Sequence, residues 1–125
     1  MKIKSVSGVT YYVKNLNKTA KFYEALGFEI RKQEASHITV YSNWFWIDFL
    51  ALGKEERPGY DDPKDDRKGA GQFLYLSVDN VDEFYKELKS KGIKPSTEPS
   101  DRPWGNREFV LHDPDGYNLV IFKRK

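Results

Sequence analysis

The sequence predicts an α+β fold built from two βαβββ modules that pair into a mixed sheet, and three observations lead there. One strand-to-helix junction occurs twice, as Tyr12-Val13-Lys14-Asn15-Leu16 and as Ser77-Val78-Asp79-Asn80-Val81. Behind each junction apolar residues recur at helical spacing until a glycine stops them. Around the helices run short stretches of Val, Ile, Thr and aromatic residues that alternate with polar ones, the pattern of half-buried strands. A repeat of about 60 residues in this order is a duplicated supersecondary unit, and neither copy buries its sheet alone.

Taken in order, residues 3–13 read as a first strand. A helix is expected from Asn17, read as its cap, with Ala20, Tyr23 and Leu26 on one face and Gly27 as its stop. Strands near 28–34, 37–42 and 44–52 complete module one. Gln72 to Asp79 restarts the order as a strand, and Asn80 with Glu83 makes a capping box. Val81, Phe84, Tyr85 and Leu88 then share a helical face as far as Gly92. Strands near 93–97, 105–111 and 117–123 close module two. The chain therefore reads as a single domain: module one 1–52, a charged joint 53–71, and module two 72–125. The joint carries six acidic and five basic residues, and a loop of that length is either a linker or a lid.

Composition supports a folded chain and narrows its partners. Of 125 residues, 38% are hydrophobic and 15% aromatic, enough for a packed core. Twenty-one basic residues against 19 acidic ones leave a net charge of +2, spread along the chain, so no basic face is marked out for nucleic acid. Lys123-Arg124-Lys125 is the only basic run and reads as the solvated end of an edge strand. There is no cysteine, which rules out disulfides, thiolate nucleophiles and thiolate-bound zinc. No signal-like apolar stretch opens the chain and no segment approaches the length of a membrane span, so a cytoplasmic protein is expected. Asn17-Lys18-Thr19 matches a glycosylation acceptor, which carries no meaning without secretion.

The segment from Pro103-Trp104-Gly105-Asn106-Arg107-Glu108-Phe109 to Asp113-Pro114-Asp115-Gly116 resembles the signature of the glyoxalase and bleomycin-resistance families. Lys21-Phe22-Tyr23-Glu24-Ala25-Leu26-Gly27-Phe28 and Phe73 to Asp82 extend the likeness over nearly the whole chain outside the joint. On these residues the chain resembles the vicinal oxygen chelate superfamily, and in particular its bleomycin-resistance-type binding proteins. The resemblance implies the glyoxalase/bleomycin-resistance fold, a cupped sheet around a cavity. In the superfamily's metal enzymes four inward positions supply His and Glu ligands to a divalent ion. Carried onto this chain, those positions fall on Gly8, Asp48, Phe73 and Val120. Three of the four offer no side-chain donor, and a lone carboxylate holds a divalent ion weakly. His37 and His112 are the only imidazoles, and each reads as structural or superficial. No metal and no other cofactor is therefore expected.

Strand alternation predicts what shares the inward face with these positions. Gly8 brings Thr10 and Tyr12; Asp48 brings Trp44, Trp46 and Leu50. Phe73 brings Tyr75 and Ser77, while Val120 brings Asn118 and Phe122, and Trp104 stands at the hairpin mouth. Rings at such positions fill a core as often as they line a pocket, so the pocket rests on the fold. The candidate ligand-binding set is Tyr12, Trp44, Trp46, Asp48, Phe73, Tyr75, Trp104, Asn118 and Phe122. This lining suits flat or apolar molecules. Asp48 could serve as a base in such surroundings, but no nucleophile or oxyanion donor accompanies it, and no catalytic residue is assigned. The function expected is metal-independent binding and sequestration of an antibiotic or toxic metabolite by a homodimer, whose first strand is swapped between chains in some relatives. By the resemblance, binders of the cationic drug bleomycin are acidic, whereas this chain has a pI of about 8.7. The alternatives are a metal-dependent glyoxalase-like lyase or dioxygenase, and a dimerising or regulatory domain without a small ligand.

Overall fold

In a computed structural model the chain divides into two compact units, residues 1–66 and 67–125. The structure describes residues 1–53, 57–60 and 69–125. Most of the joint's charges, at 54–56 and 61–68, lie outside the described residues.

The first unit runs β1 (Gly8–Val13), α1 (Leu16–Leu26), β2 (Glu29–Gln33), β3 (His37–Ser42) and β4 (Phe45–Ala51). Its sheet has the order β1-β4-β3-β2, with β1 and β4 parallel and the other pairs antiparallel. The first strand begins at Gly8, five residues later than the sequence suggests. Its partner β4 begins only at Phe45, after the two-residue turn Asn43-Trp44, so the ladder ends with Trp46 N–H donating to Ser7 O at 3.1 Å. Asn15, and not Asn17, caps α1: its side chain accepts the Lys18 N–H at 3.0 Å. Asn15 stands where Asn80 stands in the repeated junction, and Asn80 caps its own helix in the same way. Gly27 ends α1 at φ 111°, a left-handed conformation that glycine adopts without penalty. Ala20, Tyr23 and Leu26 are buried as expected, with the Tyr23 ring 4.8 Å from that of Phe49.

The second unit runs β5 (Phe73–Ser77), α2 (Val81–Ser90), β6 (Ser100–Asp101), β7 (Asn106–His112) and β8 (Asn118–Arg124), in sheet order β5-β8-β7-β6. The strand expected at 93–97 is absent. Pro95 has no N–H to give a ladder, and the amides of Ser96 and Thr97 converge on one carbonyl, that of Val110. The hydroxyl of Thr97 takes the Val110 N–H at 2.9 Å, and pairing resumes only in the short β6. The Asp113-Pro114-Asp115-Gly116 turn is built as the residues predict. Asp113 Oδ1 accepts from the amides of Asp115 and Tyr117 at 2.9 and 3.0 Å, and Gly116 sits at φ 94°.

In each unit the helix covers one face of the sheet. Tyr11 and Phe49 face α1, and Phe109 faces α2 through Tyr85 at 5.2 Å. The alternate residues of every strand therefore lie on a helix-free face. The two-module α+β architecture follows: two helices and two four-stranded mixed sheets.

Candidate functional site

On the helix-free face of the first unit, strand register sets three rows of side chains across β1, β4 and β3. They are Gly8–Trp46–Tyr41, Thr10–Asp48–Thr39 and Tyr12–Leu50–His37. The first row has no side chain on β1, and the Trp46 indole uses that space. A Cβ placed on Gly8 would stand 2.1 Å from Trp46 Cδ2 and 2.4 Å from Cε2 and Cε3. Glycine within a strand often marks a place where another group approaches the backbone closely. The position that the resemblance equates with a metal ligand is thus covered by an indole.

Asp48, in the second row, is buried and engaged at both oxygens. Thr39 Oγ1 donates to Oδ1 at 3.0 Å, and Arg57 Nη1 donates to Oδ2 at 3.1 Å. With side-chain exposures of 26% for Arg57 and 12% for Asp48, this ion pair is shielded from solvent more than a surface pair. Asp48 thus carries no free charge toward a ligand, contrary to the simplest reading of a lone acid among aromatic rings.

Arg57 comes from the joint. Arg57-Pro58-Gly59-Tyr60 forms a turn closed by Tyr60 N–H on Arg57 O at 3.0 Å, with Pro58 and Gly59 (φ 83°) at its corners in the type II pattern. The turn also meets the third row, because the Tyr12 hydroxyl donates to Tyr60 O. Residues 57–60 of the joint therefore lie against the helix-free face. Sequence reading passed over Arg57 and Tyr60. The signal available was the Pro-Gly corner inside a run of charges.

A bulge in β2 between Ile30 and Lys32 alters the edge of this face. It sets Arg31 and Lys32 beside Thr39, Tyr41, Trp46 and Asp48 around a hollow of about 450 Å³. The Arg31 guanidinium lies over the Tyr41 ring, 4.3 Å from its centroid. Trp44 does not join this group. It stands exposed at the tip of the β3–β4 turn, next to Asn43 at φ 56°.

The helix-free face of the second unit carries the rows Phe73–Asn118–His112, Tyr75–Val120–Val110 and Ser77–Phe122–Glu108. Phe73 and Tyr75 are exposed, and Tyr75 meets Phe122 edge-on at 5.4 Å. The amide of Asn118 donates to Gly69 O at 3.1 Å and Gln72 O at 3.0 Å, so it anchors the entry to β5. Glu108, absent from the expected set, is 3% exposed and accepts the Trp104 indole N–H at 2.9 Å and the Asn106 amide at 3.3 Å. Trp104 keeps an exposed ring held at its nitrogen. His112 bonds Ser96 Oγ through Nδ1 at 3.0 Å, and His37 is buried with Glu34 3.7 Å away.

A divalent ion of the superfamily's usual kind does not fit these residues. Gly8, Phe73 and Val120 have no donor atoms, and the oxygens of Asp48 already have partners.

On the opposite face of the second unit, Arg107 links β7 to α2 and β6. Its Nε and Nη2 donate to the two oxygens of Asp82 at 2.9 and 2.8 Å, and its Nη1 donates to Asp101 at 3.1 Å. Lys125 adds a 2.7 Å contact to Asp101. The hydrogen bonds from Arg107 hold the Asp82 carboxyl below its ordinary range, while those from Lys125 and Arg107 do so for Asp101. Arg107 is in turn raised by Asp82 and Asp101. This network sits in the signature segment but serves its architecture.

Comparison with known proteins bears on the same residues. The profile of the Glyoxalase/Bleomycin resistance protein/Dioxygenase superfamily matches residues 5–121. A bleomycin resistance protein of Klebsiella pneumoniae is 31% identical over 120 residues, covering 90% of this chain and 86% of that one. The crystal structure of a bleomycin-binding protein complexed with bleomycin superposes with a TM-score of 0.66 at 25% identity, over 98% of this chain and 100% of the other. A virulence protein of Salmonella typhimurium shares the fold alone, with a TM-score of 0.83 at 20% identity over all of both chains. Among the described residues no helix is long and apolar enough to cross a membrane. From Ser5 to Ile121, through both modules, the chain belongs to the Glyoxalase/Bleomycin resistance protein/Dioxygenase superfamily.

Proposed function

We propose that the protein binds and sequesters a small, flat aromatic molecule, such as an antibiotic or a toxic metabolite, without a metal and without converting it. The observation that carries this reading is Trp46 lying over Gly8, because a ring occupies the place where a metal enzyme needs a donor. Its supports are the bleomycin resistance relatives and the bleomycin complex among the structural neighbours. On the first unit Tyr12 and Trp46, and on the second Phe73, Tyr75, Trp104 and Phe122, supply ring surface, and ring pairs add about 0.5–1.5 kcal/mol beyond area burial. Asp48 and Asn118 act by holding the surrounding backbone and Arg57, and Trp44 stands at the margin. The working form is a cytoplasmic homodimer.

Elemental analysis of the purified protein, combined with a thermal-shift screen of aromatic antibiotics and metabolites, tests the proposal. No stoichiometric metal is expected, and a true ligand at 100 times its dissociation constant should add about 2.7 kcal/mol of stability. Trp46→Ala should reduce that stabilisation at the same ligand concentration while the free protein remains folded. One tightly held divalent ion per chain would turn the assignment to a glyoxalase-like lyase or dioxygenase.

A further inference from the structure

The hollow on the first unit has an electrostatic character that sequence alone does not disclose. Among the described residues that line it, the one carboxylate, Asp48, is neutralised by Arg57 and further held by Thr39. What remains exposed around the hollow, among the described residues, is basic: side-chain exposures are 46% for Arg31 and 58% for Lys32. Both point to this rim because of the β2 bulge, which places consecutive residues beside one strand position. Their acidic neighbours are weak competitors. Glu29 meets Arg31 at 3.4 Å and Glu34 meets Lys32 at 3.7 Å, both as solvent-exposed pairs. A guanidinium has five donor hydrogens, so one lateral contact leaves most of the fork available. Arg31 is also held over the Tyr41 ring, which fixes the plane from which it donates. The Tyr41 and Trp46 rings line the same hollow.

We infer that this hollow takes an aromatic molecule bearing an acidic group, a carboxylate or sulfonate, with its ring against Trp46 and Tyr41 and its anion on Arg31 and Lys32. This rests on the sequestration reading and adds its ligand class, opposite in sign to cationic bleomycin. Charge-assisted bonds to a planar fork favour a carboxylate most, and a cation meets no uncompensated carboxylate among the described lining residues.

The test uses three probes sharing one ring system: naphthalene-2-carboxylate, the neutral 2-naphthalenemethanol and the cationic 2-naphthylmethylamine. Binding to the full chain is followed by calorimetry and by quenching of tryptophan emission. Naphthalene-2-carboxylate should bind about tenfold tighter than the amine at low salt, with the gap shrinking as ionic strength rises. Arg31→Gln with Lys32→Gln should remove that preference, leave the affinity for the alcohol unchanged, and leave the melting temperature within a degree or so, since both side chains are exposed. Tighter binding of the amine would overturn the charge assignment while leaving an aromatic-binding cleft standing. Carboxylate binding that survives the double substitution would overturn the site. Absence of binding by all three probes in the wild-type chain would overturn the cleft reading together with this one.

Discussion

The Trp46 indole stands where a side chain on residue 8 would have to be, with Cδ2 2.1 Å from the position of a Cβ on Gly8. Gly8→Ala therefore cannot be accommodated without moving the ring, and overpacking of this kind costs about 1–3 kcal/mol. The expected outcome is a lowered denaturant midpoint with an altered tryptophan emission spectrum. An alanine variant identical to wild type in both would show that the indole does not rest on this strand.

Asp48 and Arg57 stabilise the molecule as a pair. Asp48→Ala takes the carboxylate partner from Arg57, and Arg57→Ala takes the guanidinium from a buried carboxylate that Thr39 also holds. Each should cost about 1.5–3 kcal/mol in urea unfolding. The double variant should lose less than the sum, because both substitutions remove the same interaction. Additive losses would contradict the pairing.

Acid should weaken the second unit through Asp82 and Asp101. Both carboxyls lie below the ordinary value in the folded chain, chiefly through hydrogen bonds to Arg107 for Asp82 and to Lys125 and Arg107 for Asp101. The unfolded state therefore takes up protons first as pH falls. Their contribution is complete above the ordinary carboxylate range, about pH 4, and is lost as pH drops through the depressed folded values. Arg107→Gln should be less stable than wild type at neutral pH, and the two unfolding midpoints should converge at acid pH. A gap that stays constant down to pH 2 would exclude this origin.

The oligomeric state offers an independent check. Phe73 and Tyr75 are exposed on the second helix-free face, a combination that marks surfaces which associate. Light scattering at micromolar concentration should give the mass of a dimer, twice 14.6 kDa. A Tyr75→Glu substitution on this face should shift the equilibrium toward monomer. A wild-type monomer at that concentration would remove the homodimer from the proposal.

Features that depend on neighbours in the chain could be read from residues alone. Gly27 as a helix stop, the Asp113 turn and the alternation that puts Gly8, Thr10 and Tyr12 on one face all follow from local sterics and short hydrogen bonds. Asn80 reads as a cap from its capping box, whereas Asn17, read as the cap of the first helix, is not: Asn15, the counterpart of Asn80 in the repeated junction, holds that place. What the tertiary structure decided involves residues far apart in sequence or paired through register. Trp46 covers Gly8 because β1 and β4 run in parallel with those two residues opposed, across 38 positions of chain. Arg57 neutralises Asp48 because the Arg57–Tyr60 turn stands against the sheet, a placement that no periodicity encodes. The strand expected at 93–97 gave way because one carbonyl, Val110 O, satisfied two amides at once. Alternation assigns a residue to a face, but its charge and contacts there depend on which partner the folded chain brings opposite it.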